Sequence, residues 1–288
     1  MRYNLADLHI HTVCSDGMRS PAQAVEEARE GGLQAISITD HDTVEGLEEA
    51  AAWGRRLGVE VVPGTELSAH IREREIHLLG YCFDPHDGDL SETLNLVHQR
   101  RYERGKAIVK RLNGMGVGVT LDEVLLHAKG SPLGRPHIAA AMVDHGIVAT
   151  KDEAFRLYIG DRAPAFSPKP YTAPEQVIEL IHRAGGVAVL AHPGASFPEH
   201  ILVQLVHSGL DGIEVFHPAH QPAQIDYYTQ LAAHYGLLMA GGSDSHGEAE
   251  GVRIGEYGIG YEAIEAMRAR AAALQAARRL PSSAVNSR

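Results

Sequence analysis

Short apolar runs alternate with amphipathic stretches through the first third of the chain. ADLHIH (residues 6–11) reads as a strand and ends in the polar segment SDG. Ser20 follows as an N-cap, with Pro21 at the first helical position and Gln23 three residues beyond the cap. A helix is therefore predicted through AVEEARE to a stop at Gly31-Gly32. LQAISIT (33–39) is a second strand, and after DHDT a helix is predicted over roughly residues 44–57. VEVVPG (59–64) and REIHLLGYCF (74–83) are the third and fourth strands. This βαβα order predicts a mostly parallel sheet.

Helical periodicity then takes over from about residue 91 to 160. Thr120 with Glu123, and Thr150 with Glu153, have capping-box spacing. The segment 91–164 is read as a small helical insertion interrupting a barrel formed by 1–90 and 165–288, placed to cap whatever site the barrel carries. Thr172 with Glu175 gives a third capping box, opening a helix that ends near Gly185-Gly186. VAVLAHP is a strand, 198–208 helical, DGIEVFHP a strand, and 221–235 helical. GLLMAGGSDSH is a strand with a polar exit loop, GVRIGEYGIG is ambiguous, a helix spans 261–279, and PSSAVNSR is expected to fray. Seven or so strands in this rhythm fit an irregular α/β barrel better than an open sheet. No internal repeat is visible.

Composition narrows the function classes. The 288 residues carry a formal net charge of −11. That charge argues against wrapping duplex nucleic acid, which needs a basic footprint, but leaves room for one short nucleotide in a local basic pocket. Cys14 and Cys82 are too few for a disulfide framework and are expected as reduced thiols. The start MRYNLADLHIHT lacks an apolar signal core, and no apolar run is long enough to span a bilayer, so a cytoplasmic location with no membrane contact is expected. No obligate protein partner is indicated.

The chain has 18 histidines, and their placement carries the chemistry. His9 and His11 lie at i and i+2 of a strand and face one side; Asp7 has the same parity. Asp16 follows in the exit loop. Asp40-His41-Asp42, Glu66, His192 and Asp244-Ser245-His246 end other strands, whereas His77 lies near the start of its own. In a barrel the C-terminal strand ends converge, so ligands spread from residue 9 to 246 meet on one face. Mixed imidazole and carboxylate suits Zn, Mn or Fe(II), and Mg less well. Asp40 or Asp42 is a candidate to orient a ligand from outside the metal shell. A lone HxH or DxH is weak evidence, and histidines outside these clusters, such as His182 and His220, are read as packing or surface residues. Dinucleotide, P-loop, nucleophile-elbow and HExxH signatures are absent. Ser15, Ser243 and Ser245 are nucleophiles by type only.

DLHIHTVCSDG, GLQAISITDHDTVEG, PGTELSA, HLLGY, AHPG and GGSDSH together resemble the PHP (polymerase and histidinol phosphatase) phosphoesterases. SPLGRPHIAAAMVDHG and LYIGDRAPAF resemble the branch containing nucleoside 3′,5′-bisphosphate phosphatases and 5′-3′ exoribonucleases. The resemblance implies a distorted (β/α)7 barrel and three divalent ions, Mn foremost. His9, His11, Glu66 and Asp244 would hold one ion; Glu66 with His77 and His192 a second; Asp16, His41 and His246 the third. Arg135, His137, Lys169 and His217 are implied as phosphate contacts, and His217 and Asp40 are the candidate catalytic groups. The implied reaction is removal of the 3′-phosphate from a substrate such as 3′-phosphoadenosine 5′-phosphate by a metal-activated hydroxide. Hydrolysis of short single-stranded RNA or histidinol phosphate is the alternative. A non-catalytic metal-binding module would be expected to have lost ligands, and none is missing.

Overall fold

The structure is a computed structural model and describes residues 5–72, 74–169, 172–247 and 251–279. Among these residues eight strands, β1 (Leu5–Ile10), β2 (Ala35–Ile38), β3 (Glu60–Ile71), β4 (Arg74–Tyr81), β5 (Val187–Leu190), β6 (Gly212–Phe216), β7 (Leu238–Gly241) and β8 (Ile259–Gly260), form one sheet. Its order is β7-β6-β5-β4-β3-β2-β1-β8. The sheet curls until the segment after β7 meets β1. There Asp244 donates its N–H to the His9 carbonyl at 2.8 Å, and His11 donates to the Ser245 carbonyl at 3.1 Å. The architecture is a nearly closed, irregular α/β barrel, with β8 crossing the lower end of β1 antiparallel at Leu5 and Ala6.

The parallel reading holds for β1-β2-β3 and for β5-β6-β7, and fails for β4, which is antiparallel to both neighbours. The reason lies in TELSAHI, which continues β3 to Ile71 and leaves two residues before β4 begins at Arg74. A gap of that length makes a hairpin, whereas a parallel crossover needs about a dozen residues or more. The reversal carries the start of β4 to the end of the barrel where the parallel strands exit. His77 lies opposite Ser68 in this hairpin, two residues beyond Glu66.

Among the described residues, ten helices surround and extend the sheet: α1 (Pro21–Glu30), α2 (Leu47–Leu57), α3 (Gly88–Gly114), α4 (Leu121–Ala128), α5 (Arg135–Asp144), α6 (Lys151–Ala154), α7 (Pro174–Arg183), α8 (Glu199–His207), α9 (Pro222–Tyr235) and α10 (Glu262–Arg279). A π-helical turn, Phe155–Ile159, continues α6. The Ser20–Gln23 and Thr120–Glu123 capping boxes form with both hydrogen bonds. Thr150 caps α6, but the Glu153 carboxylate reaches Ala149 N–H, one residue early. The third box does not form: Pro174 opens α7, so Ala173 is the N-cap and Gln176 supplies the returning side chain. The expected fraying of PSSAVNSR falls outside the described residues.

Two apolar layers build the barrel. Ile36, Ile38, Leu78, Leu190, Ile213 and Val215 pack with residues of α1, α2, α7, α8 and α9. Leu8, Val62, Tyr81 and Val189 form a second cluster with Ile264, Met267 and Ala271 of α10. Helices α3 to α6 gather around a separate cluster containing Ile108, Leu112, Val124, Ile138, Met142 and Ile159. Cys14 and Cys82 are free thiols. No helix among the described residues is long and apolar enough to cross a membrane.

Candidate metal centre

The strand ends deliver their polar side chains to one point. Pairing of β1 with β2 slips between Asp7 and Ile10, a local irregularity that separates Asp7 from the two histidines after it. His9 and His11 are fully buried with ring centroids 5.2 Å apart. Asp7 instead accepts N–H groups of Ser243 (2.9 Å) and Gly255 (2.8 Å), tying the barrel closure to β1. Three residues just beyond strand ends adopt left-handed backbone conformations: Asp42 (φ 54°), His192 (φ 23°) and Asp244 (φ 51°). Such conformations cost energy in non-glycine residues and recur where a site's geometry is imposed by its surroundings.

All nine residues assigned as ligands by the resemblance converge here. Their donor atoms fall into overlapping groups: His11, Asp16, His41 and His246; His9, His11 and Asp244; His9, Glu66 and His192; and His41, Glu66 and His77. Glu66 is central. Its Oε1 lies 2.8 Å from both His77 Nδ1 and His192 Nε2, and its Oε2 lies 3.0 Å from His41 Nδ1 and 3.3 Å from His11 Nε2.

Whether these residues suit cations can be tested on the atoms themselves. His9 Nε2, His11 Nε2, Asp16 Oδ1, His41 Nδ1 and Glu66 Oε2 are buried without a hydrogen-bond partner. Orphaned buried polar atoms are costly and rare. Yet they face one another closely: Glu66 Oε2 is 3.5 Å from His9 Nε2, 3.3 Å from His11 Nε2 and 3.0 Å from His41 Nδ1. Atoms bound to one ion at about 2.0–2.2 Å stand roughly 3–3.5 Å apart, aimed at a common centre rather than along donor–acceptor lines. The donor set fits divalent cations.

The electrostatics agree. Burial pushes the His11 pKa down, but Asp244 and Glu66 outweigh it and carry it to about 10. His77, partly buried, is also lowered by desolvation but rises to about 9 against Glu66 and Glu75. Burial raises Glu66, and the surrounding His41, His77 and His9 overcome it and hold the carboxyl well below its usual range. The cluster holds more negative charge than its neutral histidines answer, and it draws in positive charge, whether protons or metal.

The sequence-predicted substrate and catalytic residues divide. His217 reaches the cluster: its Nε2 is 3.2 Å from Asp244 Oδ2 while its Nδ1 accepts Ala219 N–H. Asp40 does not. Its Oδ1 accepts Thr12 N–H (2.7 Å) and the Ser15 hydroxyl (2.5 Å), and its Oδ2 accepts the Thr12 hydroxyl (2.6 Å), so it fastens the loop after β1. His137 has both nitrogens engaged, with Gly134 N–H at 3.1 Å and the Ser15 carbonyl at 3.1 Å, which leaves none for a phosphate. Lys169 pairs with Glu75 and donates to Ser68 Oγ. Arg135 pairs with the exposed Asp161 at 2.7 Å. Ser15, Ser243 and Ser245 direct their hydroxyls to Asp40, the His9 carbonyl and the Val252 carbonyl.

Four residues at the site were not singled out from sequence. Glu214 and Glu75 lie 3.0 Å from the ring nitrogens His9 Nδ1 and His77 Nε2. A charged residue inside the apolar run GIEVF, and a glutamate at i−2 to His77, were the available signals. Arg101 and Arg104 line a pocket of about 180 Å³ that also includes Asp16, His41, His77, Arg135 and Lys169. Arg101 is bound to Asp42. Among the described residues Arg104 has no carboxylate partner; its Nε donates to the Ser167 carbonyl at 2.8 Å. Burial and the nearby Arg135 push it down to about 10. Within the highly charged QRRYERGK, nothing in the sequence distinguishes these two arginines.

The PHP domain family matches residues 7–277. A phosphoribosyl 1,2-cyclic phosphate 1,2-diphosphodiesterase of Eggerthella lenta is 33% identical, covering 85% of this chain and 95% of its own. A 3′,5′-nucleoside bisphosphate phosphatase of Chromobacterium violaceum is 30% identical over 86% of this chain and 89% of its own. The 5′-3′ exoribonuclease Rnm of Escherichia coli is 30% identical over 86% and 87%. A Bifidobacterium adolescentis structure, provisionally assigned as a metal-dependent phosphoesterase, superimposes with TM-score 0.86 at 33% identity, covering 92% of this chain and 96% of its own. Matched along its barrel by the domain and by relatives of nearly equal length, the chain belongs to the PHP family and is a metal-dependent phosphoesterase.

Proposed function

We propose that the protein removes the 3′-phosphate from nucleoside 3′,5′-bisphosphates such as 3′-phosphoadenosine 5′-phosphate. Three divalent ions, Mn²⁺ foremost, would be held, one by His9, His11, Glu66 and Asp244, one by Glu66, His77 and His192, and one by Asp16, His41 and His246. When bound, such ions lower the pKa of a coordinated water and offset charge on the phosphoryl oxygens. The observation that carries the reading is Arg104, a buried guanidinium without a carboxylate partner among the described residues, beside Arg135 and in the same pocket as Asp16, His41 and His77. Two neighbouring cations repel unless an anion joins them, and guanidinium groups grip phosphate in a planar, bidentate way. A substrate with one phosphate at the metal cluster and another at these arginines matches that layout. Asp161 is an exposed partner that a phosphate can displace from Arg135.

His217 holds Asp244 in place. Its Nδ1 accepts Ala219 N–H, so its single proton in the neutral form is on Nε2, facing Asp244. The helices carrying Arg104 and Arg135 cap the pocket and favour small substrates or short single strands over duplexes.

The Eggerthella lenta relative favours a second reading, a phosphodiester of a phosphorylated ribose, because it covers 95% of its own length at 33% identity. A panel of bisphosphate, ribosyl cyclic phosphate, short 5′-phosphorylated RNA and histidinol phosphate separates these readings. On the bisphosphate, Arg104→Ala and Arg135→Ala should each lower kcat/KM by about 10–100-fold, the worth of a charged hydrogen bond. Turnover of a simple monophosphate should change far less. Equal losses on both substrates would rule out a second-phosphate site.

A further inference from the structure

Glu214 is fully buried on β6, outside the cluster of nine ligands. Its two oxygens answer two different donors. Oε1 lies 3.0 Å from His9 Nδ1, and Oε2 accepts the His192 backbone N–H at 2.7 Å. On the far side of the same ring, His9 Nε2 faces Glu66 Oε2 at 3.5 Å and Asp244 Oδ1 at 3.3 Å. His192 has its backbone in the left-handed region (φ 23°) and its Nε2 2.8 Å from Glu66 Oε1.

A neutral imidazole carries one N–H and one lone pair. If the proton is on Nδ1 and directed at Glu214, Nε2 must offer its lone pair to the cluster, and only that tautomer can bind an ion there. A buried backbone N–H without an acceptor is costly, so the second bond holds the turn that aims His192. We propose that Glu214 is a positioning residue: one buried carboxylate fixes the His9 tautomer and anchors the His192 turn, aligning ligands in two parts of the metal centre at once. The inference rests on the metal-centre reading and is independent of the substrate.

The competing role is direct ligation, since Glu214, His9 and His217 also bring their donor atoms close together. Glu214→Gln separates the two. A glutamine keeps the volume but replaces one acceptor with an NH₂ donor. Facing His9, that NH₂ forces the proton onto Nε2; facing His192, it opposes another N–H. Chelator-stripped full-length protein would be titrated with Zn²⁺ by calorimetry, and bound ions counted at saturation by elemental analysis. Glu214→Gln should weaken Zn²⁺ binding by about 10–100-fold, as for other groups that orient metal-ligating histidines, with the ion count at saturation unchanged. Unchanged affinity would overturn the proposal, and loss of one ion equivalent would overturn it in favour of direct ligation. Nitrogen NMR of the Zn²⁺-loaded wild type tests it without any variant. The His9 proton must be on Nδ1, and finding it on Nε2 refutes the assignment. A wild type that binds no ions would sink the metal-centre reading itself. One that binds ions but leaves bisphosphates intact would sink only the substrate reading.

Discussion

Asp40 and Glu75 illustrate how differently two carboxylates beside one site can act. Asp40, between Thr39 and His41, has the neighbours of a catalytic group, yet three donors from Thr12 and Ser15 occupy its oxygens. Removing it leaves those donors buried without an acceptor, at about 1–3 kcal/mol for a group so orphaned. Asp40→Ala should therefore lower stability in urea unfolding, while Asp40→Asn, which keeps an acceptor and the volume, should remain close to wild type in stability and turnover. A stable Asp40→Ala protein with no turnover would restore the catalytic role. Glu75 links the pocket to the cluster, touching His77 Nε2 on one side and Lys169 on the other. At this scale most of the residues that converge were legible because strand-exit histidines and carboxylates are chemically conspicuous, whereas His77 was pointed to only by the resemblance. The groups that orient them were not, since a lone glutamate or arginine acquires its role only from what the fold brings beside it.

The first three strands, the cap of α1 and the βα rhythm after residue 174 follow from alternation and turn chemistry. The direction of β4 does not, because a strand's apolar pattern is the same whichever way it runs, and only the short β3–β4 connection fixes it. That reversal explains why His77, near a strand start, joins residues from strand exits. Barrel closure depends on a second unadvertised feature. A Cβ at Gly242 would stand 2.3 Å from His9 N and 2.5 Å from His9 Cβ, so only glycine lets the segment after β7 lie against β1. Gly242→Ala should cost about 1–3 kcal/mol or more, as overpacking does. It should also weaken metal binding by shifting Asp244 away from His9 and His11. Gly114→Ala, at an α3 position where a Cβ meets nothing within 4 Å, is the control. Wild-type stability and metal affinity in Gly242→Ala would show that closure tolerates a wider gap.

For the whole molecule, the candidate metal centre joins the exits of β1, β2, β5 and β7 to the β3–β4 hairpin, so its charge state acts on the barrel as a unit. Without cations, protons take their place: His11 and His77 rise from the ordinary histidine value to about 10 and about 9, whereas burial drives His41 down to about 3. A histidine whose folded-state pKa is raised stabilises the fold fully below its unfolded value, about 6.5, and that contribution is lost as pH rises through the folded value. The metal-free protein should thus lose stability between about pH 6.5 and 10, as protonated His77 and then His11 give up their protons among Glu66, Asp244 and Glu75. Metal competes with those protons, so its binding should release them and strengthen over the same interval. The measurement is the melting temperature with saturating Zn²⁺ minus that with chelator, taken at steps from pH 6 to pH 9. The difference should widen as pH rises, because the chelated protein falls while the loaded one holds. A difference that narrows or stays level would mean that the histidines are neutral in the metal-free fold, and that the surplus negative charge of the site is balanced by something other than protons.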